Sequence, residues 1–185
     1  TPLHSSAASD VYKRQSGVSA MICDSTNIFS PGRAGSESEV RDSLLRIMEL
    51  KTNRILVTSF ASNVARMESI FYCAKKTGRN ICLVGRSMQR IYRAAKKCGY
   101  LKGLNEPLDP KDAKKLVKNK ILYLATGSQG EPMGAMTRII NGVHPDVFLE
   151  SGDCVIFSSK IIPGNEKKLY HLQNLIVKNK MEMIS

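Results

Sequence analysis

Residues 121–132, ILYLATGSQGEP, constrain the fold more than any other stretch. Five apolar residues run straight into a small, polar turn punctuated by Gly127 and Gly130, and helical spacing follows from near Met133. A hydrophobic strand, a glycine turn and a helix place ligands at the C-terminal edge of a parallel sheet. Glycine at such a turn permits backbone angles and close approaches that side chains forbid. Ser128, Gln129 and Glu131 bring a hydroxyl, an amide and a carboxylate to that edge. An ordinary β–α connection has the same pattern.

The same grammar recurs along the chain. Val18–Cys23 reads as a strand leaving through Asp24, Ser25, Thr26 and Asn27. Ser36 and Glu39 have capping-box spacing before a helix whose apolar face is Val40, Leu44, Leu45, Ile47 and Met48. Strands are expected over Arg54–Ser59, Asn80–Val84 and Asp153–Ser158, and helices over Val64–Thr77, Met88–Cys98, 111–118, 133–141 and 165–178. Gly78 and Gly99 stop two of these helices. The alternation predicts an α/β fold, a layered and mostly parallel sheet flanked by helices. Strand order cannot be read from it. Residues 1–15, TPLHSSAASDVYKRQ, share none of this logic and read as a non-native N-terminal segment; residues 16–185 form the domain proper.

Five strand exits carry DSTN, SFASN, GRS, TGSQGEP and SSKIIPGNE. Parallel strands put all five on one edge, which raises the expectation of a binding cleft. Arg86 offers a fork of donors to a phosphate and Ser87 a hydroxyl. Their plain readings are a surface arginine at a helix start and an N-cap. Asp24 is either a turn residue or a group that orients a partner. Phe29, Phe60 and Tyr92 are packing residues or base-stacking platforms. Glu131 and Glu166 cap helices or act chemically, while His144 and His171 read as structural.

The balance of 28 Lys+Arg against 16 Asp+Glu gives a formal charge of +12 and favours polyanionic partners. Five cysteines form no CxxC, which fits a reducing, cytoplasmic setting. Scattered His4, His144 and His171 argue against a self-contained metal site. No apolar run is long enough to span a membrane. Walker A and GxGxxG spacings are absent.

ICDSTN at 22–27, PGRAGSE at 31–37, TSFASN at 58–63, GRSM at 85–88, ATGSQGEPMGAMTRI at 125–139 and SSKIIPGNE at 158–166 together resemble the ribonuclease J family. That family belongs to the metallo-β-lactamase superfamily and carries an inserted β-CASP domain. The resemblance runs in order over about residues 17–180 and is similar to that insertion and the strand leading into it. It implies a two-zinc ribonuclease acting as a 5′-to-3′ exonuclease and an endonuclease in RNA processing and decay. It implies RNA as partner, preferably 5′-monophosphorylated, and a full-length enzyme able to form homo-oligomers. Asp24 matches the acid that positions a histidine. Arg86 and Ser87 match the 5′-monophosphate pocket, with Ser128, Gln129, Ser158 and Ser159 along the same edge. The family's HxHxDH motif, its GDF-type aspartate and its SGH and HGE histidines do not occur here. The expectation is therefore a β-CASP portion with no zinc of its own and no hydrolysis by itself. The competing readings are a self-contained α/β module for a nucleotide or sugar phosphate, and a structural domain with solvated basic faces.

Overall fold

The computed structural model describes residues 35–185, with isolated positions 19, 20, 22, 29, 31 and 32 before them. The account below concerns the unit Gly35–Ser185. Asp24 and its DSTN exit lie outside the described residues, as does half of the strand expected over Val18–Cys23.

In chain order the elements are α1 (Glu37–Glu49), β1 (Ile55–Thr58), α2 (Val64–Lys76), β2 (Asn80–Val84), α3 (Arg86–Lys97), α4 (Pro110–Ala113), β3 (Ile121–Ala125), α5 (Ala135–Ile140), β4 (Cys154–Phe157), α6 (Glu166–Lys178) and β5 (Glu182–Ile184). The sheet order is β2-β3-β1-β4-β5, and every pairing is parallel. Ile55 stands opposite Leu122 on one side and Cys154 on the other.

The capping box forms as its spacing predicts. Ser36 Oγ accepts the Glu39 N–H at 3.2 Å, and the Glu39 carboxylate accepts the Ser36 N–H at 3.0 Å. Alternate strand residues face opposite layers. Ile55, Val57, Leu122, Leu124 and Ile156 pack with Leu44, Met67, Ile70 and Met88 of α1–α3. Leu56, Tyr123, Val155 and Phe157 pack with Met136, Ile139, Leu169 and Leu172 of α5 and α6. Both faces are covered, so β1, β3 and β4 are buried along their whole length.

Three elements differ from expectation. The helix expected over 111–118 is the single turn α4, capped by Asp109, followed by a 3₁₀ turn at Lys118–Lys120. Its lysines had no apolar stripe to bury, so nothing propagates the helix. The helix expected from 133 begins at Ala135, after the Met136 N–H closes the preceding turn onto the Thr126 carbonyl at 2.9 Å. Strand β5 was not expected: three residues carry too little periodicity to announce an edge strand. Among the described residues no helix is long and apolar enough to cross a membrane.

Candidate nucleic-acid interface

Because the strands are parallel, the exits of β1 to β4 share one edge, and sheet order decides which are neighbours. β2 lies beside β3, so GRS meets TGSQGEP. β1 lies beside β4, so SFASN meets SSKIIPGNE. Two cavities result.

The first has a volume of about 930 Å³ between the β2 and β3 exits. Arg86, Ser87, Arg90 and Arg93 of α3 line it, with Glu131, Arg138 of α5 and His144 opposite. Gly85, not Ser87, is the N-cap of α3; its φ of 112° suits glycine, and no side chain caps the helix. The first N–H groups of α3 therefore have no side-chain partner at a terminus whose dipole favours an anion. Arg86 and Ser87 sit together there, both exposed. None of Arg86, Arg90, Arg93 and Arg138 is in an ion pair with another described residue. Glu131, the carboxylate on this wall, accepts the Gln129 N–H at 3.0 Å and so braces its own turn.

His144 was read from sequence as structural, and half of it is. Its Nδ1 accepts the N–H groups of Asp146 at 3.2 Å and Val147 at 3.1 Å. The residue also lines the first cavity. Burial, then the Arg138 cation, holds the imidazole below its ordinary pKa. Arg138 lies within the ATGSQGEPMGAMTRI motif but is not singled out there, and His144 carries no motif; their place beside GRS marks them.

The second cavity, about 550 Å³, lies at the β4 exit. Ser158, Ser159, Arg66 and Phe60 line it with Val40, Leu44 and Ile47 of α1. Ser158 Oγ accepts from Arg66 at 2.7 Å, and the same guanidinium pairs with Glu37 at 2.8 Å. That pair, together with Ser69, holds the Glu37 carboxyl below its usual range against the opposing effect of burial, the largest single influence. Ser159 Oγ is buried without a hydrogen-bond partner among the described residues, as are Ser59 Oγ and Thr58 Oγ1 of the neighbouring exit.

The predicted site residues thus divide. Arg86 and Ser87 meet in the first cavity, and Ser158 and Ser159 in the second. Ser128 and Gln129 are buried between them and line neither. Gln129 is held within the protein. Its Nε2 donates to the Lys160 carbonyl at 2.9 Å, and its Oε1 accepts from the Ile162 N–H at 2.8 Å and Asn165 at 3.4 Å. Its amide ties the TGSQGEP turn to SSKIIPGNE through its oxygen and one of its two N–H donors. Tyr92 is no stacking platform either: it is buried, stacks on Phe71 at 5.5 Å and donates to Glu106 at 2.7 Å. Glu166 accepts the Gly164 N–H at 2.7 Å, a turn brace like Glu131.

With this geometry in view, the comparisons are specific. The family described as "Ribonuclease J, beta-CASP domain" matches residues 52–176, which covers the sheet from β1 to β4 and most of α6. The chain belongs to the ribonuclease J family. Ribonuclease J of Mycolicibacterium smegmatis is 43% identical over 155 residues, 83% of this chain and 28% of that protein. Ribonuclease J 1 of Streptococcus pyogenes serotype M3 is 40% identical over 171 residues, 92% of this chain and 30% of that protein. Ribonuclease J of Thermus thermophilus is 39% identical over 158 residues, 85% of this chain and 28% of that protein. The chain therefore spans less than a third of the length of these relatives.

Proposed function

We propose that this chain is the RNA-holding β-CASP portion of a cytoplasmic, zinc-dependent ribonuclease of 5′-to-3′ exonuclease and endonuclease type, and that Arg86 and Ser87 take the terminal phosphate of 5′-monophosphorylated RNA. The observation that carries the reading is the uncapped start of α3 with unpaired Arg86 beside it, on the cavity wall shared with TGSQGEP. The N–H groups and the guanidinium recognise a dianionic phosphate through charge-assisted hydrogen bonds. The second cavity, lined at the same edge by Ser158, Ser159 and Lys160, supports passage of the chain along it. Asp24 keeps its motif-based role of orienting a histidine.

Zinc, two ions in the full-length enzyme, has no fit here. Among the described residues no three His, Cys, Asp or Glu side chains stand together as metal ligands. No step is routed through a metal, and this polypeptide alone is expected to hydrolyse nothing. EDTA-sensitive RNase activity from it would sink that expectation.

Fluorescence anisotropy with a short single-stranded RNA tests the phosphate site. The 5′-monophosphorylated RNA is expected to bind about tenfold tighter than its 5′-hydroxyl counterpart, the equivalent of one charge-assisted interaction. Arg86→Ala should remove that difference. Equal binding of the two RNAs by the unsubstituted chain would overturn the assignment.

A further inference from the structure

One side chain, Arg66 of α2, organises the second cavity. The Asn63 side chain caps α2 by accepting the Arg66 N–H at 2.9 Å, which fixes the residue in the first turn. From there its guanidinium spans two other elements. It donates to both carboxylate oxygens of Glu37 in α1, at 2.8 and 3.2 Å. It also donates to the carbonyl of Ser158 at 2.9 Å and to the Ser158 hydroxyl at 2.7 Å, both at the β4 exit. Only a planar fork of donors reaches all of these at once; the point charge of a lysine does not. The Glu37 carboxylate balances the Arg66 charge. A guanidinium has no acceptor, so Ser158 Oγ receives the bond and keeps its own hydrogen to donate elsewhere. Ser158 is half-buried and lines the 550 Å³ cavity. Asn63, whose oxygen is spent on the cap while its NH₂ is not, lines the same space, as does the Phe60 ring, 37% exposed. Hydroxyl and amide donors suit a phosphate oxygen, and an exposed ring suits the base next to it.

We infer that Arg66 is a positioning residue for RNA: it turns the Ser158 hydroxyl into the second cavity as a donor to an internal phosphodiester, whose nucleotide lies against Phe60. This rests on the reading that the chain holds RNA along this edge. Arg66 itself stays with Glu37 and touches no phosphate. The two cavities then differ in the charge they meet. A phosphodiester carries one negative charge and is held here by neutral donors, whereas the doubly charged terminal phosphate is held by Arg86 and the start of α3.

Anisotropy on the full chain with a 5′-hydroxyl single-stranded RNA tests the inference, because that RNA has no terminal phosphate. Ser158→Ala is expected to weaken binding about fivefold, the scale of one hydrogen bond to a charged group. Arg66→Met should weaken it by about the same factor. The double variant Arg66→Met/Ser158→Ala should bind within about twofold of Ser158→Ala alone, since both changes remove one contact. Arg66→Met leaves Glu37 without its partner, so the cycle is repeated with Arg66→Met/Glu37→Gln, which strands no charge and should give the same losses. An Arg66 that only supports the fold, or one that grips phosphate itself, would cost as much affinity without Ser158 as with it. Additive losses therefore overturn the inference, and so does Ser158→Ala binding within about twofold of the unsubstituted chain. The first cavity has its own readout: the preference for 5′-monophosphorylated RNA should survive Ser158→Ala. An unsubstituted chain that binds no RNA would remove the underlying reading and this inference with it.

Discussion

At the scale of single residues, the arginines at the strand starts contrast with those of the first cavity, while Arg66 at the β4 exit is paired with Glu37. At the strand-start edge Arg54 and Arg79 are satisfied. Arg54 pairs with fully buried Asp153 at 3.1 Å, and Asp153 also accepts the N–H groups of Arg54 at 3.1 Å and Glu150 at 2.8 Å. Arg79 is buried and donates to the carbonyls of Asn53 at 2.8 Å, Ile121 at 3.3 Å and Lys51. At the exit edge Arg86, Arg90, Arg93 and Arg138 line a cavity with Glu131 and form no ion pair with a described residue. Removing one member of a buried pair strands the other charge. Asp153→Ala should therefore cost about 3–5 kcal/mol in urea denaturation, whereas Arg86→Ala should stay within about 0.5 kcal/mol. His144 adds a pH signature. Its folded pKa lies below the ordinary 6.5, so the unfolded chain takes up the proton first. The stabilisation is present above about pH 6.5 and is lost as pH falls toward the folded value. Thermal melts from pH 7.5 to 5.5 should show this decline, and His144→Asn, which keeps an acceptor for the two N–H groups, should flatten it. The Glu37, Glu106 and Glu150 carboxyls, all held below their usual range, titrate at lower pH and leave that window clear.

At the scale of elements, the TGSQGEP turn and the start of α6 behave as one piece. Gln129 supplies the hydrogen bonds, and Gly130 supplies the fit. Gly130 has φ of +73°, and a Cβ there would lie 3.0 Å from the Lys168 Cβ and 3.2 Å from the Leu169 nitrogen. Both features select glycine, the first by conformation and the second by contact with the backbone of α6. Gly130→Ala should lower stability by roughly 1–3 kcal/mol and weaken RNA binding, read by urea denaturation and anisotropy. Unchanged stability would show that α6 shifts freely and that the latch does not position the edge. The role of Gln129 was hidden in sequence because its partners, Lys160, Ile162 and Asn165, come from a loop more than thirty residues away. A glutamine in a glycine turn looks the same whether it meets a ligand or another loop.

At the scale of the whole molecule, charge is distributed to serve one edge. The formal +12 favours any polyanion, but the unpaired guanidiniums are concentrated where the strands end. Binding of single-stranded RNA is expected to weaken with salt, with log K against log salt falling at a slope of about −2 to −3 for three or four phosphates neutralised. Arg90→Ala/Arg93→Ala should reduce that slope by about 1. A slope near zero would assign the charge to solvation alone.

The alternation of apolar runs with helical stripes settled the α/β class, because burial on both faces demands continuous hydrophobic strands such as ILVT and ILYLA. The motif turns settled the family, because their residues are local in the chain. Tertiary structure alone decided the order β2-β3-β1-β4-β5, since no strand carries a code for its neighbour. That order set GRS beside TGSQGEP and so brought Arg138 and His144 to Arg86. It also separated the serines of β4 into a second cavity and left Gln129 as a tie between loops. Whether an arginine is a brace or a free ligand-binding group depends on which carboxylate or carbonyl arrives beside it, and that is a property of packing across distant segments.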